Sequence, residues 1–164
     1  NIADLRELCI VLAFEVLDAA GIGKSKEAIA TMLDSGQAFE KFTAWVEAQG
    51  GNASDVENGL SLAKQTHTIK ATSSGILQSI DTLAMGNAVK VLGGGRQQKT
   101  DILDLEVGIH LHAKVGHEVI KGDVLMEFFH NNKGLEQAIA SLDTACVISD
   151  DKVASQTLIY EQLS

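Results

Sequence analysis

Val107-Gly108-Ile109-His110-Leu111-His112-Ala113-Lys114-Val115 is the stretch that decides the fold, and it runs on as Gly116-His117-Glu118-Val119-Ile120-Lys121-Gly122-Asp123-Val124-Leu125. Val107, Ile109, Leu111, Ala113 and Val115 alternate with Gly108, His110, His112 and Lys114. Successive side chains of a strand point to opposite faces, so this period of two predicts a half-buried strand. Val119-Ile120 and Val124 to Phe129 read as further strands, with Lys121-Gly122-Asp123 as the turn between them.

Working outward, Thr66 to Ala71 and Ile76 to Ile80 also read as strands, broken by Ser73-Ser74-Gly75. Asp81 is placed to cap a helix carrying Leu83, Val89 and Leu92, which Gly93-Gly94-Gly95 ends in a loop. Leu135, Ala138, Ile139 and Leu142 make a last amphipathic helix. Short strands near Cys146–Ile148 and Thr157–Tyr160 complete the chain. Upstream the period is helical. A first helix over residues 2–20 is apolar nearly all round from Leu8 to Phe14, which calls for burial on every side. A second begins at Ser25, with Ile29, Met32 and Leu33 inward. A third runs from Gln37 to Gln49, with Phe39, Phe42, Trp45 and Val46 as a core stripe. Residues 52–64 are polar and read as a linker. The pattern is an α+β chain with a short helical N-terminal part.

The sequence has 164 residues, a formal net charge of −9 and no proline. Apolar residues make up 45% and charged residues 21%, which suits a globular domain and excludes disorder. An acidic surface repels phosphate backbones and anionic lipid, so neither nucleic acid nor membrane is expected as a partner. A small anion is still compatible, because a few local donors suffice to bind it. Cys9 and Cys146 lie among apolar neighbours and read as buried thiols, which fits a reducing cytoplasm. The longest apolar run, Leu8 to Phe14, is far too short to span a bilayer.

Three features are candidates for chemistry. In Gly93-Gly94-Gly95-Arg96, the glycines allow close approach of backbone N–H groups to an anion, and Arg96 and Lys99 add charge. The glycines follow a helix rather than lead into one, so the choice lies between a flexible cap and a mobile loop closing over a ligand. Gly94, Gly95, Arg96 and Lys99 are the residues assigned to such a closing loop. His110 and His112 share one strand face, but a metal site needs a third ligand and none is evident nearby, so no metal is expected. Val115 to Leu125 resembles the turn-rich repeat of biotinyl and lipoyl carrier domains, with Lys133 near the position of their modified lysine. The flanks, His130-Asn131-Asn132 and Gly134, lack the methionines of the biotin type, and a helix follows. Serines and cysteines find no base and orienter, so no catalytic residue is assigned.

Five stretches, in order and at matching spacing, resemble the thymidine/pyrimidine-nucleoside phosphorylase family. They are Asp4-Leu5-Arg6-Glu7-Leu8-Cys9; Ala48-Gln49-Gly50-Gly51-Asn52; Ser74-Gly75-Ile76 through Asp81-Thr82-Leu83-Ala84-Met85-Gly86; Leu92-Gly93-Gly94-Gly95-Arg96 through Asp101-Ile102-Leu103-Asp104, Val107-Gly108-Ile109 and Lys114-Val115-Gly116; and Leu158-Ile159-Tyr160-Glu161. The resemblance implies a homodimeric pentosyltransferase that splits pyrimidine nucleosides with phosphate, giving free base and pentose 1-phosphate. It implies an active site in the cleft between an all-helical and an α/β lobe. It also implies residues 1–58 as a helical segment from the end of the α/β lobe, and 64–164 as the C-terminal α/β-hammerhead, barrel-sandwich-like domain. In the family a Lys-x-Ser-Thr-Gly-Gly loop holds phosphate, and Arg, Ser and Lys hold the base. Some members bind potassium. None of those motifs occurs here, so the segment is expected to need no cofactor and to be inactive alone, contributing cleft closure. The alternatives are a non-catalytic interaction domain and a carrier domain.

Overall fold

The alternating stretch forms the edge of a sheet whose central strand is the run that follows it. The computed structural model describes residues 2–154 and 157–161. Its strands are β1 (Gln65–Lys70), β2 (Gly75–Ile80), β3 (Gly108–Leu111), β4 (Glu118–Val119), β5 (Val124–His130) and β6 (Cys146–Ser149). They form two three-stranded antiparallel sheets, ordered β1-β5-β3 and β4-β2-β6. The helices are α1 (Ala3–Ala19), α2 (Lys26–Asp34), α3 (Gln37–Ala48), α4 (Ala53–Asn58), α5 (Thr82–Val89) and α6 (Leu135–Leu142). The chain is therefore mixed α+β with a helical N-terminal part. Two compact units result, Asn1–Gly59 with Gln156–Ser164, and Leu60–Ser155. The outer ends of the expected domains, residues 1 and 164, lie outside the described residues.

The second unit owns the core. Its five largest fully buried side chains are Phe128, Leu77, Leu92, Met126 and Leu142. Each contributes roughly 1.5–3 kcal/mol by leaving water. Alternation along β5 puts Met126 and Phe128 on one face, where they pack with Ile69 and Val107 against Ala88, Leu92, Ala138 and Leu142. Leu125 faces the other way and joins Ala71, Leu77, Ala113 and Val119 in a smaller core. Helix α5 begins where expected, because the Asp81 carboxylate accepts the Ala84 N–H at 2.9 Å.

Lys121-Gly122-Asp123 is a turn, with Gly122 at φ +99°, but it does not close a hairpin. Strand β4 pairs with β2, and β5 pairs with β1 and β3, so the turn carries the chain from one sheet to the other. It is pinned to Ala71, which donates to the Asp123 carbonyl at 2.8 Å and accepts from Gly122 N–H at 2.9 Å. The Asp123 carboxylate accepts the Ile120 N–H at 2.8 Å. Periodicity marks strands but does not name their partners.

Other expectations are corrected. The strand expected over 107–115 keeps only Gly108–Leu111. Beyond it, the N–H groups of His112 and Ala113 both donate to the Leu125 carbonyl, at 2.9 and 3.3 Å, the pattern of a β-bulge that bends the strand away. The linker at 52–64 contains α4, capped by Asn52, whose side chain accepts the Ser54 N–H at 3.0 Å. Thr157–Tyr160 forms no strand. Cys9 is exposed. Among the described residues, no helix is long and apolar enough to cross a membrane.

Among the described residues of the helical unit, only Ile10 and Ile29 are buried hydrophobics. Arg6 Nη2 donates to both Asp34 carboxylate oxygens, at 2.8 and 2.7 Å, but such an exposed pair adds under about 1 kcal/mol. Met32 and Leu33 are exposed, and Phe39, Phe42 and Trp45 stand about half open at 51%, 49% and 57%. The stripe read as core is thus a surface in this chain. Helix α1 likewise leaves Leu5, Leu12 and Val16 exposed, so the burial on every side that its sequence calls for is not met. Three readouts follow. Phe128→Ala should cost about 3–5 kcal/mol and Asp81→Ala about 1 kcal/mol in urea denaturation. Leu83→Ala, at a 74% exposed position, should cost under about 0.5 kcal/mol. Trp45 should emit at long wavelength and be quenched freely by acrylamide, and the chain should bind a hydrophobic dye. A blue-shifted, protected Trp45 and no dye binding would contradict the exposed stripe.

Candidate functional site

The glycine–arginine segment grows out of α5. The helix runs into a single π-helical turn, Lys90–Gly94, which Gly93 ends with φ +115°. Only glycine reaches that conformation without strain. Gly93 is buried, and its carbonyl accepts the Asp104 N–H at 2.9 Å. At Gly94 the constraint is space, since a Cβ there would lie 2.8 Å from Val89 Cγ1 and 3.2 Å from Val107 Cγ2. The glycines are therefore a packing device joining the helix to the sheet, which the flexible-cap reading did not foresee.

Past Gly95 the chain turns outward, and Arg96 and Lys99 are exposed. The turn closes on Asp101, whose Oδ2 accepts the N–H groups of Gln97 and Gln98, both at 2.9 Å. Those two bonds hold its carboxyl below the usual aspartate range, Gln98 contributing most, and the charges of Lys133 and Arg96 add to the effect. Lys133 also lies along the glycines, its Nζ 3.8 Å from where a Gly93 Cβ would sit. Asn131 Nδ2 donates to Asp104 Oδ2 at 3.0 Å and ties the two loops together. The charges of Arg96 and Lys133 thus both bear on the Asp101 carboxylate, and Lys99 stands in the same turn. Lys133 enters α6 rather than crowning a hairpin. Its partnership with the glycine turn was invisible in sequence because it depends on α5 and α6 packing side by side.

The histidine pair also gains a neighbour. His110 is the register partner of Glu127 on β5. The rings of His110 and His112 are 4.5 Å apart between centroids, and His112 Nε2 lies 3.8 Å from Glu127 Oε2. The third donor that sequence spacing did not reveal comes from the adjacent strand. Burial pushes the Cys146 thiol up, which disfavours the thiolate.

The Asp101 carboxylate makes the turn pH-sensitive with a defined sign. A carboxyl held low in the folded state stabilises it above its unfolded pKa, and that contribution is lost as pH falls through the lower folded value. The Gln97 and Gln98 amide resonances should therefore titrate together, below the usual aspartate range. Asp101→Asn should abolish that titration. Midpoints at or above the ordinary aspartate value would contradict the double hydrogen bond.

Residues 76–149, which contain the glycine turn, both histidines and Lys133, match the family model described as the pyrimidine nucleoside phosphorylase C-terminal domain. The chain is 34% identical over 167 residues to the pyrimidine-nucleoside phosphorylase of Geobacillus stearothermophilus, covering 98% of this chain and 39% of that protein. It is 33% identical to the enzyme of the same name from Staphylococcus haemolyticus, covering 96% and 38%. The Staphylococcus aureus (strain bovine RF122 / ET3-1) relative is 32% identical with the same coverage. The chain spans about two fifths of the length of these curated relatives. With this turn in the matched segment and similarity along nearly the whole chain, the protein belongs to the pyrimidine-nucleoside phosphorylase family, as a segment carrying its C-terminal domain.

Proposed function

We propose that this segment serves a phosphorylase that splits pyrimidine nucleosides with phosphate, and that it contributes closure of the cleft rather than the chemical step. The observation that carries this reading is the glycine turn, a backbone fixed by packing that presents exposed basic side chains on an otherwise acidic chain. Phosphorolysis needs water kept out, because water would divert the pentose to hydrolysis. A segment that moves with one lobe can seal the cleft at each turnover. Arg96 suits the contact made on closure, because its planar fork holds an oxyanion through two parallel hydrogen bonds. Lys99 supplies a second, mobile charge. Gly94 and Gly95 hold the approach close to the domain body.

The nucleoside and phosphate sites then belong to the rest of the enzyme, which works in this reading as a homodimer in the cytoplasm. The phosphate loop and base-binding residues implied by the family match nothing in this sequence. The 164-residue chain should therefore show no phosphate-dependent release of thymine or uracil when prepared from a host lacking such a phosphorylase. Measurable release would overturn the division of labour.

In the intact enzyme, Arg96→Ala should lower kcat more than it raises KM. One lost charge-assisted hydrogen bond is worth about 1.5–3 kcal/mol, or roughly ten- to a hundredfold in rate. Unchanged steady-state constants for nucleoside and phosphate would reduce the turn to a helix cap bearing a solvated arginine.

A further inference from the structure

We propose that His110, His112 and Glu127 form a binding site for a divalent transition-metal ion of the zinc class. It lies on the face of the β1-β5-β3 sheet turned away from α5 and α6, and is independent of the glycine turn and its role. The alternation that buries Met126 and Phe128 turns Glu127 to the opposite face. The antiparallel register sets His110 directly across from it on β3. His112 lies two residues further, on the same face, at the bulge where β3 leaves the sheet. One nitrogen from each imidazole and one oxygen of Glu127 all lie within 4.8 Å of one another.

A tetrahedral zinc ion with bonds of about 2.0–2.1 Å sets its donor atoms about 3.3 Å apart. His112 Nε2 and Glu127 Oε2, at 3.8 Å, are already near that separation. The remaining gap closes by side-chain rotation, which their exposure permits, at 40% for the His112 side chain and 26% for Glu127. The backbone need not move, because the register sets His110 across from Glu127 and the His112 N–H is held by the Leu125 carbonyl. Two imidazoles and one carboxylate are a borderline donor set. They favour zinc, nickel or cobalt over magnesium and calcium, which take all-oxygen shells. Three protein ligands leave a fourth position to water, as in open zinc sites. Glu127 cancels one of the ion's charges, and the net charge of −9 draws cations to the surface. The bound ion would tie edge strand β3 to central strand β5, two strands far closer in space than in sequence.

The test uses the full chain, free of any affinity tag, titrated with Zn²⁺ against a chromophoric chelator and, separately, with Co²⁺. One ion per chain should bind, and Co²⁺ should give the visible absorption of a four-coordinate nitrogen–oxygen site. Saturating Zn²⁺, at about a hundred times Kd, should raise Tm by about 5–10 °C. Mg²⁺ and Ca²⁺ should do neither. His110→Ala, His112→Ala and Glu127→Gln should each weaken binding by at least about tenfold, the loss that even outer-shell changes produce in known sites. His117→Ala, at an exposed histidine on the β4 turn, should leave it intact. Circular dichroism of each variant separates loss of ligand from loss of fold. No stoichiometric Zn²⁺ binding, binding unaffected in the folded His110→Ala/His112→Ala double variant, or an equal loss in His117→Ala would overturn the assignment.

Discussion

Strand β5 must find hydrogen-bonding partners on both sides while burying side chains on both faces, and the rest of the second unit is arranged to satisfy that demand. A strand flanked by β1 and β3 has no free edge, so its N–H and C=O groups are met by its neighbours. Met126 and Phe128 require α5 and α6 above them, and Leu125 requires the second sheet below. The π-helical turn after α5, the glycines that let Gly94 pass between Val89 and Val107, and the sheet-crossing turn at Gly122 are all consequences. The basic turn is therefore held by the core rather than draped over it.

This arrangement separates rigid from exposed parts within a few residues. Gly93 is buried and hydrogen-bonded, whereas Arg96 reaches into solvent. For the closure proposed above, such a base would leave little backbone entropy to be lost on contact. Asp101 extends the order outward by capping two amides, and the positive charges of Lys133 and Arg96 favour its ionised form. The face of the sheet carrying His110, His112 and Glu127 owes its geometry to the same strand. One register thus fixes both the face packed on α5 and α6 and the face that carries the histidines.

How much of this was legible in the sequence depends on whether a feature is local. The helices at 2–20, from Ser25 and from Gln37, the Asp81 cap and α6 were all readable, because each is written in periodicity and capping over a few residues. The strands of β1, β2, β5 and β6 were readable for the same reason. Pairing was not. Lys121-Gly122-Asp123 looks like a hairpin turn, and only the second sheet, built from β2 and β6, shows where β4 goes. Glu127 became a neighbour of the histidines, and Lys133 a neighbour of the glycines, through contacts that no spacing rule encodes. The aromatic stripe of α3 misled in the other direction. Its period correctly marks an apolar face, but period alone does not say that the cover lies within this chain. The family resemblance fared better than any single motif because ordered stretches constrain one another.

The most direct test of the account is hydrogen exchange across residues 95–101 in the intact enzyme, with and without nucleoside and phosphate bound. If the turn closes over the cleft, exchange there should slow when both substrates are present, while the amides of β5 remain unchanged. Identical exchange in the free and doubly liganded enzyme would contradict closure and leave the turn a structural cap.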